Sequence, residues 1–185
     1  MEKFIEIHND FLSSYVKDQI ENVLLNEEGI RYSYLTSSTN PLVNVYQPGF
    51  KYMFIKDDLP YYHKEVYHTP FLNILYNFCK HRNIFLTRII QGRAWLNIPS
   101  ISPGPELTHT DWNYPHWVLL YYVNDSDGDT ILFNDKEEEI QRITPQKGKA
   151  VFFNGEIKHC ASQPVKNHRS VINFNFLGDF FGNEK

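Results

Sequence analysis

The sequence predicts a mainly β protein, a sandwich or barrel of antiparallel strands supported by helices in its first half. Three observations favour this class. From about residue 84 the chain consists of short apolar runs separated by turn-forming residues. Aromatic residues make up 16% of the chain, a content that suits strands and pocket walls. Helical periodicity, in contrast, is confined to the part before residue 90.

The length of 185 residues suffices for one domain with a substantial core and is short for two. We therefore expect a single domain over residues 1–185. Residues 1–90 would provide helical and irregular support, and residues 91–180 would form the β core.

The first elements are a short strand and a helix. Residues 4–7 (FIEI) predict the strand, and an apolar stripe over residues 9–29 predicts the helix. We expect Asn9 or Asp10 to cap this helix, since side chains of this type accept hydrogen bonds from the first turn. Gly29 is expected to end it.

A mixed segment and a second helix follow. Residues 30–62 predict irregular chain with short strands around 42–46 (LVNVY) and 52–55 (YMFI). The second helix is expected from about residue 64 to 82. Pro70 predicts that its regular part begins there, because proline is favoured at the first helical position.

The second half predicts about seven strands. Each run is rich in branched and aromatic residues, and Gly, Pro, Asn and Asp lie between the runs. The expected strands cover 83–98, 116–123, 130–133, 139–143, 150–154, 157–162 and 169–177. Strands at this spacing are typical of an antiparallel sandwich or barrel.

Composition excludes several kinds of partner and site. The net charge is −4 and no basic stripe occurs, which argues against nucleic acid as the main partner. Cys79 and Cys160 are far apart, so a reducing compartment is the simpler interpretation. The charged start resembles no signal peptide, and the longest apolar run, 117–123, is too short to span a bilayer. We therefore expect a cytoplasmic protein with no membrane partner.

The stretch THTD raises the question of a metal site. If His109 and Asp111 lie on a strand, residues two apart point to the same side and present an imidazole and a carboxylate together. A histidine on a later predicted strand, His159, provides a third ligand. Two histidines and one carboxylate form the facial triad of non-haem Fe(II) oxygenases, and catalytic zinc remains a competitor.

Arg169 stands at the head of the last predicted strand, RSVINFNFL. Alternation places Ile172 and Phe174 on an apolar face, and Arg169 and Asn173 on the other face. An arginine in this position needs a partner, and a carboxylate is the natural one because it can accept two hydrogen bonds from the guanidinium group.

Together, HTD (109–111), YYVNDSDGDTILF (121–133), GKAVFFNGEIKHCASQPV (148–165) and RSVINF (169–174) resemble the Fe(II)- and 2-oxoglutarate-dependent dioxygenases. The resemblance is strongest to the prolyl 4-hydroxylase-like branch. It implies a double-stranded β-helix, or jelly roll, with the amino-terminal helices packed on the outer sheet. It also implies Fe(II) and 2-oxoglutarate, and raises ascorbate as a third candidate.

By this resemblance the iron ligands and catalytic residues are His109, Asp111 and His159. Arg169 would bind the C5 carboxylate of 2-oxoglutarate with help from the Tyr122 hydroxyl. Asn97 would take the place of a tyrosine that many relatives carry on the strand before the H-x-D pair.

The resemblance implies hydroxylation of an unactivated C–H bond with release of succinate and CO2. The substrate would be a peptide or protein, with a prolyl residue as the target, or a small molecule. RSVINFNF lacks the second arginine of nucleic-acid-demethylating relatives. The alternatives are a non-catalytic jelly-roll binding module and a cupin-like dioxygenase that does not use 2-oxoglutarate. The aromatic turn Trp112–Trp117 could form pocket wall or packing, and we expect His116 at the surface.

Overall fold

The fold is described by a computed structural model that covers residues 4–26, 30–35, 49–61, 65–100 and 107–181. Within these residues the chain forms two helices and eleven strands. In chain order they are β1 Ile5–His8, α1 Ser14–Leu25, β2 Ser33–Leu35, β3 Gly49–Lys56, β4 Leu59–Pro60, α2 Glu65–His81, β5 Ile84–Asn97, β6 Trp117–Tyr122, β7 Thr130–Phe133, β8 Glu139–Ile143, β9 Ala150–Asn154, β10 Lys158–Ala161 and β11 Arg169–Phe180. The predicted mainly β class is confirmed.

The strands form two antiparallel sheets. The larger sheet has the order β1-β9-β6-β11-β5-β3-β2, with β4 paired to β3, and the smaller has the order β10-β7-β8. After β6 the chain passes to the smaller sheet, returns in β9, passes over again in β10 and returns in β11. This alternation builds the double-stranded β-helix, which confirms the predicted fold.

The space between the sheets is filled by a cluster of buried apolar side chains. Leu120 and Val171 contribute to it from the larger sheet, and Leu132 and Ile143 contribute from the smaller one. This cluster lies on the same face of β11 as Arg169 and Asn173, so the inner face of the barrel combines apolar packing with the polar residues of a site.

The helices cover the outer face of the larger sheet. Ile74 and Phe78 of α2 are fully buried and share a cluster with Phe152, Phe174 and Phe176. Burial of these large side chains stabilises the sheet from behind, at roughly 1.5–3 kcal/mol for each. The expected packing of helices on the outer sheet is therefore confirmed.

The first helix begins later than expected. Its N-cap is Ser13, whose hydroxyl accepts a hydrogen bond from the Val16 amide, so the expectation of Asn9 or Asp10 was wrong. Asp10 has a φ of 55°, a left-handed conformation that aspartate tolerates, and its carboxylate instead accepts a hydrogen bond from Lys17 at 2.6 Å. The expected end at Gly29 lies outside the described residues.

The second helix has about the expected bounds, but its regular part does not begin at Pro70. It starts at Glu65, and Pro70 lies inside it rather than at its first position. Proline removes one main-chain donor there, but the helix continues for eleven residues that include the fully buried Phe71, Ile74 and Leu75. Tertiary packing thus overrides the local signal. The strand expected at 42–46 lies outside the described residues, whereas the one at 52–55 is part of β3.

Neither helix in the described part of the chain has the length and apolar character needed to cross a membrane.

We predict that Phe174→Ala lowers the free energy of unfolding by about 3–5 kcal/mol, because the cavity left behind cannot fully collapse. The Phe174 ring is fully buried and its centroid lies 5.5 Å from that of Phe54. Urea denaturation measures the effect. Phe85→Ala is the control, since Phe85 is 55% exposed, and it should cost less than about 1 kcal/mol. Equal losses would contradict the core position of Phe174.

Candidate active site

The two predicted histidine ligands are joined through their main chains. His109 does not lie on a strand as expected; it forms an isolated bridge with His159 of β10. The His109 amide donates to the His159 carbonyl at 3.0 Å, and the reverse bond measures 2.9 Å. Asp111 follows in a bend. The local conformation is therefore an extended segment pinned to β10, and this pinning brings together residues fifty apart in sequence.

The three side chains converge on one point. Asp111 Oδ1 lies 3.9 Å from His109 Nε2, and Asp111 Oδ2 lies 3.9 Å from His159 Nε2. One ligand atom from each residue lies within 4.8 Å of those of the other two. The predicted set is thus assembled, and its chemistry, two imidazole nitrogens and one carboxylate oxygen, fits a divalent iron with positions left for other ligands.

Main-chain carbonyls orient both imidazole rings. His109 Nδ1 lies 3.1 Å from the Leu107 carbonyl, and His159 Nδ1 lies 3.0 Å from the Ile157 carbonyl. A carbonyl oxygen can only accept, so each Nδ1 carries the proton and donates. Each Nε2 then points its lone pair toward Asp111, the arrangement that metal-binding histidines use.

A polar network holds the Asp111 carboxylate. Arg93 of β5 donates to Oδ1. Asn173 and Asn175 of β11 donate to Oδ2 at 3.1 and 2.8 Å. Gln91 in turn donates to the Asn175 amide oxygen at 2.6 Å. The side chain of Asp111 is only 3% exposed, so these donors replace its lost hydration.

The network keeps the carboxylate ionised. Burial alone would raise the pKa of Asp111, but the nearby charge of Arg93, the two imidazoles and the hydrogen bond from Asn175 outweigh it and hold that pKa well below its usual range. Burial lowers the pKa of His159 to about 4, against the opposing attraction of Asp111. At neutral pH the site therefore presents one anionic oxygen and a neutral His159 ring.

Arg169 lines the same cavity as the three converging residues. It is 4% exposed, and its Nε and Nη2 donate to the Gly128 carbonyl at 2.9 Å and to the Thr130 hydroxyl at 2.8 Å. A Cβ on Gly128 would lie 3.0 Å from Arg169 Cδ and 2.8 Å from a main-chain oxygen, so this close approach requires glycine. These bonds fix the guanidinium at the end of the cavity.

The remaining two predicted residues lie beside Arg169. Asn97 lines the cavity and is the β5 partner of Arg169 in the sheet. Its Nδ2 is buried and has no hydrogen-bond partner among the described residues. The Tyr122 ring lies 5.9 Å from the Arg169 guanidinium, next to Thr130, and burial raises its pKa to about 12. Tyr122 is thus behind Arg169 rather than on the cavity wall.

Several residues of the site were not identified from the sequence. Arg93 and Trp95 share the inner face of β5 with Asn97, and all three line the cavity. Asn173 was assigned to the same face of β11 as Arg169, and Asn175 follows two residues later, but their shared partner Asp111 was not predicted. Alternation along GRAWLN could have identified Arg93 and Trp95, since it places every second residue of this run on the same face as Asn97.

The last two residues of the aromatic turn, His116 and Trp117, pack on the barrel. Trp117 lies against Phe152 and donates its indole N–H to the Gly178 carbonyl at 3.0 Å. His116 was expected at the surface, but it is 5% exposed. Its ring covers Gly155, where a Cβ would lie 2.2 Å from His116 Nε2, so a neighbouring glycine allows its burial.

Sequence comparison places this site in a known family. Residues 102–177 match the family model described as the 2OG-Fe(II) oxygenase superfamily. Comparison with curated proteins gives no significant match. The matched segment contains the three converging residues and Arg169, and it confirms the resemblance seen in the sequence. The match supports an oxidoreductase of the 2OG-Fe(II) oxygenase family, a family that implies Fe(II) and 2-oxoglutarate.

Solved structures share the fold. An oxidoreductase of the 2OG-Fe(II) oxygenase family from Burkholderia pseudomallei gives a TM-score of 0.71 at 10% identity, covering 93% of this chain and 84% of that one. The α-ketoglutarate dependent carbocyclase SnoK from nogalamycin biosynthesis gives a TM-score of 0.68 at 12% identity, and the alignment covers 95% of this chain and 79% of that one. A prolyl hydroxylase from Trichoplax adhaerens, in complex with a hypoxia inducible factor peptide, gives a TM-score of 0.67 at 16% identity. The alignment covers 94% of this chain and 83% of that one.

We predict that the His159 ring of the metal-free protein stays neutral until the pH falls to about 4. Burial disfavours the charged ring, whose ordinary pKa is about 6.5. An NMR titration of the ring protons measures this, with His159→Gln used for assignment. In Asp111→Asn the midpoint should fall further, because the attracting carboxylate is gone. A wild-type midpoint at or above about 6.5 would contradict the burial argument.

Proposed function

We propose that this protein is an Fe(II)- and 2-oxoglutarate-dependent dioxygenase that hydroxylates an unactivated C–H bond and releases succinate and CO2. The observation that carries the proposal is the convergence of His109, Asp111 and His159 in one cavity with Arg169. A binding module without catalysis would have no need for two imidazoles oriented through their Nδ1 atoms around a buried carboxylate.

The chain contributes ligand geometry and charge. His109, Asp111 and His159 would hold the iron, His159 as a neutral imidazole and Asp111 as the anionic ligand. Iron, when bound, supplies the dioxygen chemistry that these side chains lack. Arg93, Asn173 and Asn175 keep the carboxylate ionised and oriented, since each donates a hydrogen bond to it.

The cavity also offers donors for a dicarboxylate. Arg169, held by Gly128 and Thr130, would bind the C5 carboxylate of 2-oxoglutarate through its guanidinium. The Asn97 amide would donate a further hydrogen bond, because its buried Nδ2 otherwise lacks a partner among the described residues. Tyr122 would support Arg169 from behind. A dioxygenase that does not use 2-oxoglutarate would leave this end of the cavity without a ligand.

The substrate group that the resemblance favours is a prolyl residue. The likeness to a prolyl hydroxylase holding a peptide supports this choice, whereas the likeness to SnoK supports a small molecule. The segments expected to decide between them, 30–62 and 98–107, lie partly outside the described residues.

We predict that Fe(II) and 2-oxoglutarate, added to the protein without oxygen, produce the weak visible charge-transfer band of a chelated 2-oxo acid. His109→Ala should abolish the band because one iron ligand is lost. Absorption spectroscopy provides the measurement. His168→Ala is the matched control, since His168 is exposed, and its spectrum should equal that of the wild type. A wild-type protein that binds both components and gives no band would refute the proposed function.

We further predict that Asn97→Leu weakens 2-oxoglutarate binding about tenfold, because the carboxylate loses one charge-assisted donor. Titration of the same band with 2-oxoglutarate measures the dissociation constant. Asn77→Leu, an exposed position on α2, is the control for the substitution type. Unchanged affinity in Asn97→Leu would remove Asn97 from the cosubstrate site.

A further inference from the structure

The described walls of the cavity carry an excess of positive charge. Its charged side chains are Arg93, Asp111 and Arg169. Two cations and one anion leave one positive charge. If the proposed function is correct, Fe(II) adds two positive charges and 2-oxoglutarate removes two. One positive charge therefore remains when both are bound, and a poorly hydrated site needs an anion to balance it.

Arg93 is the cation that would lack a full counter-charge. Arg169 lies at the end of the cavity proposed for 2-oxoglutarate, whereas Arg93 lies beside Asp111. Because the Asp111 carboxylate would also bind iron, it would balance less of the positive charge of Arg93. Arg93 Nε is buried without a hydrogen-bond partner in the described part of the chain, and 17% of the side chain is still exposed. One Arg93 donor therefore has no partner among the described residues, and a different part of the side chain remains accessible.

A second cation and an aromatic ring adjoin Arg93. The Trp95 ring lies 5.4 Å from the Arg93 guanidinium and 5.9 Å from Lys51 Nζ. Lys51 of β3 is the strand partner of Trp95, so the two side chains lie on the same face of the sheet. Gly49, two residues before Lys51, faces the Asn97 amide, where an added Cβ would lie 3.2 Å from Nδ2. Alternation therefore directs Lys51 to the cavity side of β3.

We propose that Arg93 and Lys51 bind a carboxylate of the substrate, while Trp95 packs against its apolar part. The substrate is then a small carboxylic acid without a compensating cation, rather than an internal residue of a peptide. An internal residue presents neutral amides, which would leave the cations uncompensated. A free carboxylate can accept two hydrogen bonds from the Arg93 guanidinium and balance the charge.

The first test compares acids with their neutral derivatives on the wild-type protein. The anaerobic complex with Fe(II) and 2-oxoglutarate is titrated with a panel of N-acetyl L-amino acids, whose only charge is the carboxylate, and with the corresponding N-acetyl amides, while the charge-transfer band is followed. The proposal expects at least one acid to shift the band saturably and its amide to have no effect. An amide that binds as well as or better than the acid, or a panel without any response, overturns it.

This design separates the two claims. Absence of the band before any acid is added would refute the proposed function. A normal band that no acid perturbs would refute the carboxylate subsite alone.

The second test locates the subsite. Arg93→Gln and Lys51→Gln should each weaken binding of the acid roughly 10- to 100-fold, the effect of losing one charge-assisted hydrogen bond. In Lys51→Gln the affinity for 2-oxoglutarate should stay within about twofold, because no contact joins Lys51 to the proposed iron ligands among the described residues. Arg88→Gln is the matched control. Arg88 lies on β5, as Arg93 does, but it is exposed and forms an ion pair with Asp57.

Weakened 2-oxoglutarate binding with unchanged acid binding in Lys51→Gln would overturn the proposal, since Lys51 would then serve the cosubstrate. Lys51→Gln keeps the test valid if loss of Arg93 prevents folding, because Lys51 is not bonded to Asp111.

Discussion

The buried carboxylate of Asp111 is the constraint on which the site depends. A charge taken out of water is costly unless donors and opposite charges replace the water. Here Arg93 of β5 and Asn173 and Asn175 of β11 provide them, so one side chain ties the segment after residue 107 to two central strands. The reciprocal main-chain bonds between His109 and His159 tie the same segment to the smaller sheet. If any one of these donors were lost, the buried charge of Asp111 would be poorly compensated by the two that remain.

Strand alternation lets one sheet serve two purposes. On β11 the outward side chains, such as Phe174 and Phe176, pack in the cluster that α2 covers, while the inward ones, such as Arg169 and Asn173, line the cavity. A rigid, well-packed layer therefore stands directly behind the polar residues. Such support is what a site needs when several ligands must be held at fixed positions.

The sequence was most informative where local periodicity decides the outcome. The strands after residue 84 and the two faces of β11 follow from alternation and turn residues, whereas the placement of Arg169 in one site with His159 was implied by the family resemblance. The partnership of Arg93 with Asp111 could not be predicted, because it depends on the register of strands distant in sequence. Local rules also failed where tertiary contacts compete with them: α2 continues through Pro70 toward a buried apolar face, and His116 is buried over Gly155.

The most direct test of the account is a crystal structure of the anaerobic protein with Fe(II) and 2-oxoglutarate, with the metal located by its anomalous signal. The account predicts one metal bound by His109 Nε2, His159 Nε2 and an Asp111 oxygen, and a far carboxylate of 2-oxoglutarate on Arg169 and Asn97. A metal bound elsewhere, or a cosubstrate whose far carboxylate lies on Arg93 instead, would contradict it.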